Sequence, residues 1–280
     1  MSSSRRVAPI PHQIIYGTAW KKEDTERLVV QALNAGFRAI DTACQLKHYR
    51  EDLVGEALES VKDAIPRETV FLQTKFTSID GQDRKQPLPY NPKDTITAQV
   101  NSSFTTSLNN LRTTFLDSYI LHSPLQTLSQ TLEAWQVLVQ LQDEGKIKAI
   151  GVSNTYDVGV LHALAKVRMV QVVQNRWYEG NDWDKEVVQY CVENGILYQS
   201  FWTLSGSPQL LAHPSLKNLA NSAGISQAQA LYKFAQLHGV TPLSGTTSTK
   251  HMSQDLAVAD IDVEAKDEDI AILKSLVIGD

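Results

Sequence analysis

The sequence predicts an α/β fold, a single (β/α)8 TIM barrel spanning residues 1–280 with a short C-terminal helix. Three observations lead there. Eight short apolar runs alternate with amphipathic helical patterns, recurring roughly every 25–35 residues, the length of a βα unit. Only Gly17-Thr18 follows the first run. The Gly-rich fingerprint of an open doubly wound sheet is missing there. Three of the runs stop at polar residues, Asp41, Lys75 and His122. Strand ends on the C-terminal face of such a barrel are where its chemistry collects.

The elements follow in order. A strand is expected over 13–17, then a helix with Asp24 as N-cap, Leu28, Val29, Ala32 and Leu33 on one face, and Gly36 as stop. A strand over 38–41 leads through a loop to a helix carrying Leu53, Val54, Ala57, Leu58 and Val61 on one stripe. The strand over 70–75 opens into a polar loop, 78–93, whose Gly81, Pro87, Pro89 and Pro92 argue for irregular structure. A loop of that length inside a compact domain is usually functional, for example a lid. A helix over 94–110 precedes a buried strand over 117–122, which breaks at Ser123-Pro124. Thr127 and Gln130 have capping-box spacing before a helix that ends at Gly145. Strands over 146–153, 170–174, 196–201 and 240–243 then alternate with helices over 158–165, 184–193, 214–222 and 227–237. A short helix over 249–256 and another over 268–276 complete the pattern.

The chain is 42% hydrophobic and 20% charged, an ordinary globular composition. Its net charge of −5 and pI near 5.8 argue against nucleic acid or an anionic membrane as partner. No apolar run approaches the roughly 18 residues of a membrane span, and residues 1–6 lack an apolar signal core. Two cysteines, Cys44 and Cys191, make no disulfide framework and fit a reducing, cytoplasmic setting. Neither has a metal-ligand spacing, and no metal is expected. Cys191 falls on an apolar helix face and reads as a core residue.

On the barrel reading, Asp41, Lys75 and His122 end strands two, three and four, with Tyr49 just beyond strand two. These types make a coherent proton-donating device. A tyrosine of pKa near 10 is a poor acid at neutral pH, and a neighbouring ammonium should lower that value. A carboxylate would hold the ammonium in place. A histidine can orient a carbonyl oxygen. A structural Asp–Lys pair beside a surface tyrosine would share this spacing.

The short motifs Asp41-Thr42-Ala43, Thr74-Lys75, Leu121-His122-Ser123-Pro124 and Gly151-Val152-Ser153-Asn154, in this order, together resemble the aldo-keto reductase family. The resemblance runs from residue 14 to residue 256. It implies a (β/α)8 barrel that reduces a small-molecule aldehyde or ketone with a nicotinamide cofactor, usually NADPH, with NADH as the alternative. It implies a catalytic tetrad of Asp41, Tyr49, Lys75 and His122, with Tyr49 as general acid. Ser153, Asn154 and Gln174 match the residues that hold the nicotinamide carboxamide. Phe201 stands where the family usually has a tyrosine stacked on that ring. Gly17 and Thr18 are placed at the cofactor by the same resemblance. Leu204, Ser205 and Gly206 match the loop over the pyrophosphate. The loop Gly245, Thr246, Thr247 and Ser248, with Lys250, His251 and Asp255 on the helix behind it, matches the adenosine end. Such a loop leading into a helix after strand eight is also a phosphate device in its own right.

Two departures bear on the chemistry. Two extra residues lie between Asp41 and Gly55. Family spacing counted back from Gly55 places His48 at the acid position, whereas an insertion ending one residue later selects Tyr49. The phenol suits the family's role, so Tyr49 is preferred and His48 kept as the alternative. At the adenosine end the family's lysine and arginine are replaced by Gly245 and His251. Lys250 could supply a compensating charge.

Trp20 and Phe76, with Tyr49, His122 and the loop 78–93, are expected to wall the substrate pocket. The short stretch after Leu256 predicts an open site with broad substrates. The expected protein is a cytoplasmic, monomeric carbonyl reductase. The alternatives are a cofactor-binding sensing or scaffold subunit with little turnover, and, more weakly, a metal-dependent barrel hydrolase, for which no His/Asp ligand cluster is visible.

Overall fold

Eight parallel strands close into a barrel in the computed structural model, which describes Ile10, residues 13–263 and residues 268–278. Residues 1–6 lie outside the described residues. The strands are β1 (Ile15–Gly17), β2 (Ala39–Asp41), β3 (Phe71–Phe76), β4 (Leu116–Leu121), β5 (Ile147–Ser153), β6 (Val172–Arg176), β7 (Leu197–Phe201) and β8 (Val240–Ser244). Each pairs with its sequence neighbour, and β1 pairs with β8 at Ile15↔Leu243 to shut the ring. The helices wrap outside: α1 (Thr25–Ala35), α2 (Glu51–Val61), α3 (Ile96–Asn110), α4 (Leu128–Asp143), α5 (Val158–Ala165), α6 (Lys185–Asn194), α7 (Pro208–Ala212), α8 (Pro214–Ser222), α9 (Gln227–Leu237), α10 (Thr249–Ala257) and α11 (Glu268–Val277). Among the described residues, no helix is long and apolar enough to cross a membrane.

Strand side chains alternate between two faces, so the barrel has two separate apolar regions. Outward residues such as Leu72, Tyr119, Leu121 and Val173 join the helices in the main core. Inward residues Ile15, Ala39 and Phe71 pack with Ile10 at the bottom of the barrel, and Ile120, Ala149 and Val172 form a smaller group. Above them the interior turns polar. Gln73 Nε2 donates to Gln199 Oε1 at 2.7 Å, and Gln174 Nε2 donates to the same oxygen at 2.9 Å.

Local signals account for most helix ends. The capping box of Thr127 and Gln130 forms at the start of α4, and Gly36 ends α1 in the left-handed conformation at φ 118°. Ser226 and Gln229 form a second capping box, before α9. Asp24 holds the N-cap position of α1, but its side chain makes no capping bond. It closes a short 3-10 turn, Lys22–Asp24, and its carboxylate pairs with exposed Arg27. The helix expected from residue 94 starts at Ile96, where Thr95 caps it by accepting from the Ala98 N–H. The helix expected from residue 184 starts one residue later because Asp182, Trp183 and Asp184 take left-handed φ values of 51°, 51° and 54°. Trp183 is buried there, its Nε1 donating to Ser207 Oγ at 3.2 Å.

The loop 78–93 is no lid over the barrel mouth. It contains the 3-10 turn Ile79–Gly81 and folds back on β3. Tyr90 is buried against Phe76, ring centroids 5.7 Å apart, and donates its hydroxyl to Thr77 O at 2.7 Å. Gln45 Nε2 reaches Gly81 O at 2.8 Å, and Gln82 Nε2 reaches Cys44 O at 2.9 Å, tying this loop to the one after β2.

Helix α2, which anchors the loop bearing Tyr49, lies hard against the end of α3. A Cβ added at Gly55 would fall 1.9 Å from Asn110 O. Gly55→Ala should therefore force the two helices apart and cost about 1–3 kcal/mol. Urea unfolding of the two proteins measures this, and an unchanged midpoint would show that α2 can shift freely.

Candidate active site

The side chains predicted from strand ends meet at the top of the barrel. Lys75 and Asp41 are both buried, and Lys75 Nζ lies 2.7 Å from each Asp41 oxygen. The ammonium also donates to Thr42 O at 2.8 Å. Gln73 and Gln174 each donate to Asp41 Oδ1, at 2.8 and 3.0 Å. The carboxylate is thus held by three side chains, as a buried charge requires. Burial lowers the Lys75 pKa, and Asp41 acts against that shift.

Tyr49 lies over this pair. The Lys75 ammonium is 5.3 Å from its ring centroid, and the His122 ring is 5.9 Å away, edge-on. His48 lines the same cavity farther out: its ring stacks on Trp20 at 3.7 Å between centroids, and its carbonyl accepts from the Trp20 N–H at 2.7 Å. The expectation that Lys75 lowers the Tyr49 pKa is not met. Burial, then the Asp41 charge, pushes the phenol up. The two-point clasp by Asp41 offsets part of the ammonium's pull on the phenol, leaving desolvation dominant.

His122 Nδ1 sits 2.6 Å from Thr77 Oγ1. Burial, then the charge of Lys75 and then His48, pushes its pKa down to about 3, so the ring is neutral at pH 7.

These groups line a cavity of about 900 Å³ that runs across the mouth to the start of α10. Trp20, Asp41, Tyr49 and His122 line one end. Ser153, Asn154, Gln174 and Phe201 line its middle, with Leu204 and Ser205 beside them. Gly245, Thr246, Thr247, His251 and Asp255 line the far end, and Gly17 faces the cavity as well. Ser153 Oγ donates to Gln174 O at 2.6 Å, and Asn154 Nδ2 donates to His122 O at 2.9 Å, which fixes the turn after β5. Asn154 has φ 51°, a left-handed conformation held by these bonds. Asp255 accepts from Ser244 Oγ at 2.6 Å, and burial raises its pKa to about 6.

Other expected residues stand apart from the cavity. Phe76 belongs to the outer core and does not line it, because Lys75 points inward and the next residue of a strand must point out. None of the loop 78–93 lines it either. Lys75 lies beneath Tyr49, and Thr18 is buried with its hydroxyl on Asp41 O at 2.9 Å. Gly206 packs against Tyr178, where a Cβ would come within 2.5 Å of the tyrosine Cβ. Ser248 caps α10 by accepting from the His251 N–H, and Thr246 Oγ1 takes the Ser248 N–H at 3.1 Å, so both groups are already engaged. Lys250 does not face the cavity.

The cavity also contains residues that sequence reasoning missed. Lys21 spans from the β1 loop to donate to Gly245 O, and burial lowers its pKa. Arg176 and Trp202 stack together on the wall beside Phe201. Arg176 is two residues past Gln174 on a strand, so period-two alternation would have placed it inward.

Residues 13–278 match the Aldo/keto reductase family. The chain belongs to this family. It is 31% identical over 242 residues to the uncharacterized oxidoreductase YtbE of Bacillus subtilis (strain 168), covering 85% of this chain and 79% of that protein. An aldo-keto reductase from a Medee basin deep-sea metagenome library superposes with a TM-score of 0.80 at 25% identity, covering 98% of this chain and 93% of that one. A Bombyx mori aldo-keto reductase solved in complex with NADP shares the fold, with TM-score 0.77 at 21% identity over 95% of this chain and 89% of that one. This aldo/keto reductase is an NAD(P)H-dependent oxidoreductase, and the family's cofactor is NADP(H). The cavity suits a dinucleotide in size and in its alternation of aromatic, hydroxyl and cationic lining.

The His122 environment has a consequence for acid stability. The unfolded chain takes up a proton near pH 6.5, and the folded chain does so only near pH 3. The stabilisation is complete above that upper value and is lost as pH falls through the window, by up to about 1.4 kcal/mol per pH unit. His122→Gln should flatten the fall in urea-unfolding free energy between about pH 6 and pH 4. A slope equal to wild type would mean that the His122 imidazole does not set it.

Proposed function

We propose that this aldo/keto reductase reduces a small aldehyde or ketone to the alcohol, using NADPH in preference to NADH and Tyr49 as proton donor. The observation that carries the assignment is the position of the Tyr49 ring, over Lys75 and edge-on to His122, while His48 stacks on Trp20. Bound NADPH supplies the hydride. The protein's part is to hold the carbonyl oxygen and give it a proton. In the tautomer this mechanism uses, the Thr77 hydroxyl donates to His122 Nδ1 across their 2.6 Å contact, and the neutral ring offers its Nε2 proton to that oxygen. Tyr49 offers its hydroxyl to the same oxygen. The raised pKa keeps the phenol protonated, and the alkoxide formed by hydride addition is basic enough to take that proton. The Lys75 ammonium stabilises the phenolate left behind, and Asp41 keeps Lys75 charged and in place. Ser153, Asn154 and Gln174 would hold the carboxamide and Phe201 the face of the nicotinamide. Trp20 and His48 would form the outer wall for the substrate. The two buried free cysteines accord with a reducing cytoplasm.

Tyr49→Phe removes the proton and keeps the ring. It should lower kcat roughly 100- to 10,000-fold for a test aldehyde, the usual range for a general acid, and leave NADPH affinity close to wild type. His48→Gln should stay within about tenfold of wild type. The reverse pattern would move the acid to His48, and no turnover by wild type over a panel of aldehydes and ketones would favour a sensing subunit.

Cofactor preference should be moderate. Two or three contacts of about 1 kcal/mol each at the 2′-phosphate give roughly ten- to a few hundred-fold in favour of NADPH. His251, on the cavity wall, is better placed than Lys250 to provide one. His251→Ala should weaken NADPH binding and spare NADH, while Lys250→Ala should do little. Dissociation constants from fluorescence quenching decide this, and equal wild-type affinities at low salt would remove the 2′-phosphate from this loop.

A further inference from the structure

Arg176 ends β6 on the same inward face as Gln174, half-buried in the cavity wall. Its guanidinium carbon lies 3.9 Å from the Trp202 ring centroid, 5.6 Å from that of Tyr178 and 5.7 Å from that of Phe201. Three aromatic rings therefore hold the cation. Its Nε is buried without a hydrogen-bond partner, and among the described residues its side chain makes no ion pair. The carboxylates closest in sequence are occupied elsewhere. Glu179 accepts from the N–H groups of Gln209 and Leu210, Asp182 pairs with Lys185, and Asp184 accepts from Asn175 and Tyr198. Rings attract a cation without cancelling its charge. A net positive charge thus stands beside Phe201, in contrast to Lys75, which Asp41 neutralises.

We propose that Arg176 discriminates between the redox states of the cofactor, disfavouring the oxidised form. The inference rests on the reading of Phe201 as the face that carries the nicotinamide. The oxidised nicotinamide ring is a cation and the reduced ring is neutral, while the diphosphate is the same in both. Any attraction of Arg176 for the phosphates therefore cancels in the ratio of the two affinities. What remains is repulsion between the guanidinium and the oxidised ring. For unit charges roughly 10 Å apart under typical protein screening, that repulsion amounts to about tenfold in affinity. Arg176 would thereby hasten exchange of spent cofactor for fresh. The equilibrium of the overall reaction is untouched.

The test uses the full chain without a carbonyl substrate. Dissociation constants for NADP+ and NADPH are measured by fluorescence quenching for wild type, Arg176→Gln and Arg176→Lys. Arg176→Gln should lower the ratio of the NADP+ constant to the NADPH constant by about tenfold, which is about 30 mV in the potential of the bound two-electron couple. Arg176→Lys should keep most of the ratio, and added salt should shrink it in wild type. Both constants changing by one factor in Arg176→Gln would overturn the proposal, since a phosphate contact or a brace for the rings acts so. If the glutamine variant does not fold, a wild-type ratio indifferent to salt together with a ratio lost in Arg176→Lys overturns it. Wild type binding neither form would sink the Phe201 reading itself, and the inference with it.

Discussion

The ion pair of Lys75 and Asp41 is the constraint on which the upper half of the barrel depends. Both groups are removed from water, a cost that only close geometry and further hydrogen bonds offset. Asp41 meets that demand with the amides of Gln73 and Gln174, and these in turn converge on Gln199. One charge pair therefore dictates a polar layer contributed by β2, β3, β6 and β7, where a barrel interior would ordinarily be filled by branched apolar residues. This layer reaches the cavity through Gln174, which touches Asp41 while also facing the open space.

The same pair explains why Tyr49 is a stronger candidate acid than its pKa alone would suggest. A free ammonium beside the phenol would favour the phenolate before any substrate arrived. Clasped by Asp41, the ammonium leaves the resting phenol protonated and remains close enough to meet the charge that forms when the proton leaves.

Much of the architecture was legible because it follows from two periods. Eight apolar runs and their helical partners specify a barrel, and the strand-end residues Asp41, Lys75 and His122 meet as that topology requires. The same two-residue alternation turns Phe76 outward into the core and Arg176 inward to the cavity. Other features carry no such signal. The left-handed run at Asp182, Trp183 and Asp184 carries no glycine, and it is held by Trp183 packing and by the bonds of Asp184 to Asn175 and Tyr198. The reach of Lys21 to Gly245 joins residues at opposite ends of the chain. The choice between His48 and Tyr49 depended on how the lengthened loop after β2 folds, and a chain with no spare local signal there leaves that to tertiary packing.

The strands of the barrel are unequal. β1 and β2 have three residues each, and β1 is registered to β2 only through Tyr16↔Ile40 and Gly17↔Asp41. β5 has seven residues, and β4 meets it along most of its length. β2 is nevertheless fastened, because Asp41 is bound to Lys75 of the longer β3. Among the described residues β1 and the Thr18 that follows it carry no buried ion pair, only single hydrogen bonds such as Tyr16 Oη to Thr246 O and Thr18 Oγ1 to Asp41 O, so β1 is the soft stave of the barrel. Backbone amides there should trade hydrogen with solvent sooner than those of β4 and β5. The softness lies on the side that carries Trp20 and Lys21, so small openings of the barrel would loosen the rim of the cavity while the pair of Asp41 and Lys75 stays rigid.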